Sequence, residues 1–153
     1  MTAAMPRLRH LASALLAVTV LAGCADQNLW NRDFSKATSV SKAAAASSNV
    51  TGYWEGPVAM GGVRARIEPA RITLALKCDK DGKILSQGSA PIAFKSDDPA
   101  RMTLLEDLSS GPDEKCGFRF YKGNEFRYRL DDNGMLELDF AGSSVSRMQK
   151  LGD

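Results

Sequence analysis

Histidine is almost missing from this chain: His10 is the only one in 153 residues. Imidazole is the side chain that most often serves as general base, metal ligand or proton switch near neutral pH. A domain without it lacks the Ser-His-Asp and Cys-His sites and the usual zinc and copper sites. Cysteine is scarce too. Cys24, Cys78 and Cys116 are the only three, and no two have the Cys-x-x-Cys spacing of redox or zinc motifs. No apolar run reaches the roughly 18 residues of a membrane-spanning helix. Beyond Val50 no stretch shows the 3.6-residue apolar period of an amphipathic helix. Catalysis without His or a free Cys would need paired carboxylates or a Lys or Tyr base, and no motif marks such a group. The chain reads as a non-enzyme with no metal and no cofactor.

What is present begins at the N-terminus. Met1 to His10 carries Arg7 and Arg9 and no acid, and an apolar run from Leu11 to Leu21 follows. That is the pattern of a secretory signal peptide, which pairs a cationic region with an apolar run of about 7 to 15 residues. The run closes on Leu21-Ala22-Gly23-Cys24, a cysteine directly after two small residues, and this resembles the lipobox of bacterial lipoproteins. The resemblance implies cleavage before Cys24, diacylation of its sulfur and acylation of its new amino group. Each buried CH2 contributes about 0.8 kcal/mol and one chain holds only marginally, so several chains on one residue anchor the protein without spanning. In that family Asp directly after the Cys favours the inner membrane. Here Ala25 stands there and Asp26 follows, which implies an outer membrane and a periplasmic face.

Removing residues 1–23 changes the composition. His10 leaves, and with Arg7 and Arg9 gone the 20 basic residues fall to 18, equal to the 18 acidic ones. The mature chain is formally neutral, so the basic whole-chain pI is no sign of a nucleic-acid partner, and none is expected. With Cys24 reserved for lipid, Cys78 and Cys116 are the pair left, and an exported domain in an oxidising compartment is expected to join them.

Three segments follow: 1–23 as lipoprotein signal, 24–50 as lipidated N-terminus and flexible tether, 51–153 as a single domain. Ser, Ala, Lys, Asn and Thr dominate the second, with an r.m.s. reach of roughly 25 to 30 Å as a flexible chain. Leu29-Trp30 and Phe34 interrupt it. Three readings stay open for them: contact with the membrane interface, docking on the domain, or aromatics scattered along a disordered arm.

From Val50 onward the apolar period is two. Val63, Ala65 and Ile67 alternate with Arg64, Arg66 and Glu68; Ile72, Leu74 and Leu76 alternate with Arg71, Thr73 and Lys77. Phe118 and Phe120, then Phe126, Tyr128 and Leu130, then Leu136, Leu138 and Phe140 repeat the pattern. Less regular strands are expected near Gly52 to Met60, Lys83 to Gly88, Pro91 to Lys95, Arg101 to Glu106 and Val145 to Lys150. A three-residue loop Asp132-Asn133-Gly134 sets Leu130 against Leu136 and Phe126 against Phe140 inside, Arg129 against Glu137 and Arg127 against Asp139 outside. Lys80-Asp81-Gly82 repeats that design between Asp79 and Lys83. Its acids superficially resemble a calcium loop but lack the downstream ligands, so a hairpin turn is expected. A Lys122-Gly123-Asn124 turn would set Arg119 against Arg127, a like-charge pair that invites an anion. The fold expected is all-β, a small antiparallel barrel of about eight strands, with a β-sandwich as the alternative.

Gly52-Tyr53-Trp54 in the first strand resembles the Gly-x-Trp signature of lipocalins and related calycins, and Arg147 sits near the C-terminus where those proteins place an Arg across the Trp. A barrel of this size is expected to pack its own side chains inside. If it does hold a ligand, that ligand is small and apolar, with Trp54, Tyr128 and Arg147 as polar contacts. Outside, Arg119, Arg127 and Arg129 read as a salt-bridged surface, with Arg119 as the exception. The acidic stretch Ser96 to Lys115 is the expected recognition surface. Two functions follow: a lipid-anchored envelope module binding an envelope protein, a polymer or a host factor, or a lipocalin-like carrier of a small apolar molecule.

Overall fold

Strands with one apolar face hide it best by closing on themselves, and eight of them do so here. The computed structural model describes residues 28–35, 50–59, 61–78, 84–97, 99–110 and 116–153. The strands are β1 (Gly52–Val58), β2 (Gly61–Glu68), β3 (Arg71–Cys78), β4 (Ile84–Lys95), β5 (Arg101–Leu104), β6 (Leu108–Ser109), β7 (Arg119–Phe120), β8 (Glu125–Leu130), β9 (Leu136–Phe140) and β10 (Val145–Gly152). β1-β10-β9-β8-β5-β4-β3-β2 form a closed antiparallel barrel, and β6 and β7 pair separately. This is the expected barrel, not the sandwich.

Parity is obeyed where it was clearest. Val63, Ala65 and Ile67 of β2 and Ile72, Leu74 and Leu76 of β3 are buried on one inner face. Phe126↔Phe140, Tyr128↔Leu138 and Leu130↔Leu136 pair across β8 and β9 in the expected register. Gly134, at φ 76°, takes the left-handed position that an L side chain resists. The Asp131 carboxylate accepts from the Asn133 and Met135 amides, each at 2.9 Å, and pins the loop. Cys78↔Ile84 pairing brackets the Lys80-Asp81-Gly82 turn, which itself lies outside the described residues.

Two expected strands, Lys83 to Gly88 and Pro91 to Lys95, are one. β4 pairs with β3 as far as Pro91 and with β5 from Ile92. Pro91 sits where the partner changes: its carbonyl accepts from the Leu105 amide at 2.9 Å, and the Ile92 amide donates to Ala70 at 3.0 Å. A residue without an N–H costs least at such a transfer point.

Two ends result from the up-and-down order. One end, called upper here, carries the β1–β2, β3–β4 and β9–β10 connections and the β6–β7 insertion between β5 and β8. The lower end carries the β2–β3, β4–β5 and β8–β9 turns. The insertion folds inward, with Leu108 fully buried. A Cβ on Gly88 would stand 2.1 Å from the Ser109 carbonyl oxygen, so β6 crosses β4 where there is no side chain. Cys78 ends β3, Cys116 precedes β7, and their sulfurs are at disulfide distance with Cα atoms 5.9 Å apart. The expected pair therefore ties the insertion to the barrel wall.

Residues 28–35 lie on the outer wall. Leu29, in a short 3-10 turn (Leu29–Asn31), forms a second apolar cluster with Tyr53 and Ala75, flanked by Trp30, Phe34 and Leu151. Of the three readings left open for these aromatics, docking on the domain is the one found. Residues 28–35, within the segment 24–50 expected as a tether, carry these docked side chains. Cys24 and residues 36–49 lie outside the described residues.

Candidate functional site

The inner face is filled from the lower end through the middle by Trp54, Ile67, Ile72, Met102, Phe126, Leu136, Leu138 and Met148, each almost without exposure. At the upper end the filling stops. An apolar cavity of about 210 Å³ opens there, bounded by Val58, Val63, Leu74, Leu76, Phe118, Phe120 and Phe140, with Ser143 and Ser144 at its rim. Phe120 is held by Phe126 (centroids 4.8 Å apart, edge-on) and stacks on Phe140 at 6.2 Å. These rings form the floor on which the opening stands. Ser86, register partner of Leu76, faces the same interior, and its buried hydroxyl has no hydrogen-bond partner among the described residues. The packed core expected from size is thus present in the lower part and absent at one mouth.

Three large apolar side chains stand exposed among the described residues, Leu105, Tyr121 and Val145. Leu105 follows β5, Tyr121 precedes β8 and Val145 opens β10, so all three belong to the upper end. None of the three lines the cavity, but exposed apolar groups at the end of the barrel that carries an opening are candidates for a contact surface.

The residues expected to bind fall elsewhere. Trp54 is buried at the lower end, and its indole N–H donates to the Val50 carbonyl at 2.8 Å. Arg147 does not cover it. β10 puts Ser146, Met148 and Lys150 inward, so Arg147 points out and pairs with Asp131. Lys150 takes the inner place, its ammonium 5.8 Å from the Trp54 ring. Tyr128 packs edge-on against Phe94 at 6.0 Å, away from the cavity, and burial pushes its phenol pKa up.

Arg119 does not face Arg127. β7 pairs with β6, setting Arg119 opposite Ser109, because the Tyr121–Asn124 turn is taken up by β5: Gly123 donates to Leu104 at 2.8 Å and Leu104 to Asn124 at 2.9 Å. A like-charge pair occurs instead at Arg101↔Arg127. Asp97, 2.8 Å from Arg101, and Glu125, 3.5 Å from it, offset it. Arg127 and Arg147 line shallow polar grooves on the outer wall, and Arg129 pairs with Glu137 at 2.6 Å as expected. The stretch Ser96 to Lys115 is only partly a surface loop, since Met102, Leu104 and Leu108 in it are core.

Sequence reading missed an arginine-aromatic cluster on the β1–β3 wall. The Arg64 guanidinium lies 4.5 Å from the Trp30 ring centre and 5.2 Å from that of Phe34, donates to the Leu29 carbonyl at 2.9 Å and pairs with Glu55 at 2.7 Å. Arg32 lies 4.3 Å from the Tyr53 ring, which meets Phe34 at 5.2 Å. The available signal was β3 itself, whose outward Thr73 and Ala75 are small and uncharged where their β2 register partners are Arg66 and Arg64 respectively, one Arg beside each.

No protein-family model, curated protein or solved structure matches the chain. Its chemistry is read from the residues alone. Among the described residues no three His, Cys, Asp or Glu gather to hold a metal. The mouth offers apolar surface and two rim hydroxyls, a setting for binding.

Proposed function

We propose that this protein is a lipid-anchored cell-envelope binding module, non-catalytic and held by acyl chains on Cys24, that takes its partner at the upper end of the barrel. One observation carries the reading: the apolar cavity opens at the same end as Leu105, Tyr121 and Val145. At about 210 Å³ the cavity is smaller than the roughly 300 to 1,000 Å³ of pockets that swallow a whole ligand. It suits one apolar group projecting from a larger partner. The lipobox resemblance supports the anchor and an outer-membrane, periplasm-facing location, and the neutral mature chain argues against nucleic acid as the partner.

The lipocalin-like carrier is the second reading, favoured by the same cavity if the apolar group is a free small molecule. A photo-crosslinking residue at Ser143, in the chain expressed with its signal, separates the two. The module reading expects a covalent adduct with an envelope protein or polymer, absent when the residue sits at Arg129, on the outer face near the lower end. A small lipophilic molecule as the sole adduct at Ser143 would replace it with the carrier. Equal labelling at both positions would remove the site.

A further inference from the structure

The arginine-aromatic cluster fixes where the barrel stands relative to its anchor. The first described residue, Asn28, lies beside the β3–β4 wall: its side chain accepts from the Trp30 amide at 3.0 Å, and the next residue, Leu29, donates its amide to Gln87 of β4 at 2.7 Å. Trp30 then donates its indole N–H to the Ala75 carbonyl of β3 at 3.0 Å and lies over Gly62 of β2, whose Cβ, if it had one, would be 2.8 Å from the ring. Further along, Arg32 and Phe34 reach Tyr53 of β1. The segment is therefore tied to four successive strands, by hydrogen bonds, ring contacts and cations over rings.

Only Ala25, Asp26 and Gln27 separate Cys24 from Asn28. Four extended steps span at most about 14 Å, whereas a free tether reaching to Val50 would have roughly twice that as its mean reach and several times as much in full extension. We infer that the docked segment mounts the barrel side-on against the phospholipid headgroup layer, with the β3–β4 wall toward the lipid and the β9–β10 wall away from it. The inference rests on acylation of Cys24. The leash is the short stretch before Asn28, because Phe34 already packs on Tyr53 of the barrel and Val50 is buried in its core. The upper mouth then opens along the membrane surface, where it meets partners lying on or in the same leaflet.

The test uses the full chain, acylated in a competent host and reconstituted into phosphatidylethanolamine–phosphatidylglycerol vesicles containing a headgroup-attached quencher. One dye is placed at Arg71→Cys on β3 and, in a second preparation, at Glu137→Cys on β9, the strand across the ring from β3. Quenching at position 71 is expected to exceed that at 137 at least two-fold. Insertion of about twelve Gly/Ser residues after Asp26, which lengthens the leash and leaves every docked contact intact, is expected to bring the two to the same low value. Leu29→Ser with Trp30→Ser is expected to do likewise by releasing the segment. Equal quenching at the two positions in the unmodified chain overturns side-on mounting, as does a difference that survives the insertion. Flotation with the vesicles separates the two claims: a chain that floats with equal quenching keeps its anchor and loses the mounting, and a chain that does not float loses both.

Discussion

The Arg64 guanidinium stacks 4.5 Å from the Trp30 ring centre while pairing with Glu55 at 2.7 Å, so one cation of β2 holds both its own sheet and the segment that precedes the barrel. A cation over Trp contributes about 0.5 to 2 kcal/mol depending on desolvation.

Gly62→Ala tests that arrangement. The added methyl meets the Trp30 ring at 2.8 Å and must displace it. Amide exchange across residues 28–35 is expected to rise at least ten-fold while the β8–β9 amides keep their protection. Unfolding stability should fall by about 1 kcal/mol. Unchanged exchange in 28–35 would show that the segment is not held through Trp30.

Gly88→Ala tests the insertion. Here the obstruction is backbone, the Ser109 carbonyl at 2.1 Å, which cannot swing aside as a side chain can. Destabilisation of about 1 to 3 kcal/mol is expected in urea, the range for overpacked sites. Increased exchange should be concentrated in β6 and β7.

Joint replacement of Cys78 and Cys116 by Ser removes a cross-link of sequence separation 38. In the chain-entropy account it should lower stability by roughly 3 to 4 kcal/mol. The upper end, where the bridge lies, should loosen before the lower end. A urea midpoint that does not move would contradict a bonded pair in the folded protein.

Acid should act through the β8–β9 hairpin. The hydrogen bond from the Met135 amide holds the Asp131 carboxyl below its ordinary value; desolvation works against this, and Arg147 and the Asn133 amide add to it. With the folded carboxyl below the unfolded one, its contribution is complete above pH of about 4 and is lost as pH falls through the lowered folded value. Asp131→Ala should lower stability at neutral pH and flatten the acid limb of the stability profile. An acid limb identical to that of the unaltered chain would contradict the linkage.

The sequence made the barrel legible where local rules decide. A glycine that must adopt the left-handed region fixed one turn, and the requirement that inward residues meet inward residues then set Phe126 against Phe140 and Arg129 against Glu137. It failed where distant segments decide. Nothing near Arg119 tells that Leu104 will take Gly123 and Asn124 as partners and leave β7 to β6. Nothing near Arg147 tells which β10 residue will stand opposite Trp54; the β1–β10 register puts Lys150 there. The burial of Ala75 on an outward face depends on a segment more than forty residues upstream, linked to it by the Trp30 indole bond (separation 45). The cavity was illegible for a related reason. Counting inward side chains gives their number but not that the distant β6–β7 insertion buries Leu108 and sets Phe118 and Phe120 in the cavity wall.

The mass of the N-terminal peptide of the mature protein, made with its signal in a lipoprotein-competent host, tests the account most directly. A peptide beginning at Cys24 and carrying three acyl chains is predicted. An intact precursor, or a Cys24 that is free or unmodified, would contradict the anchor, and with it the location and the side-on mounting.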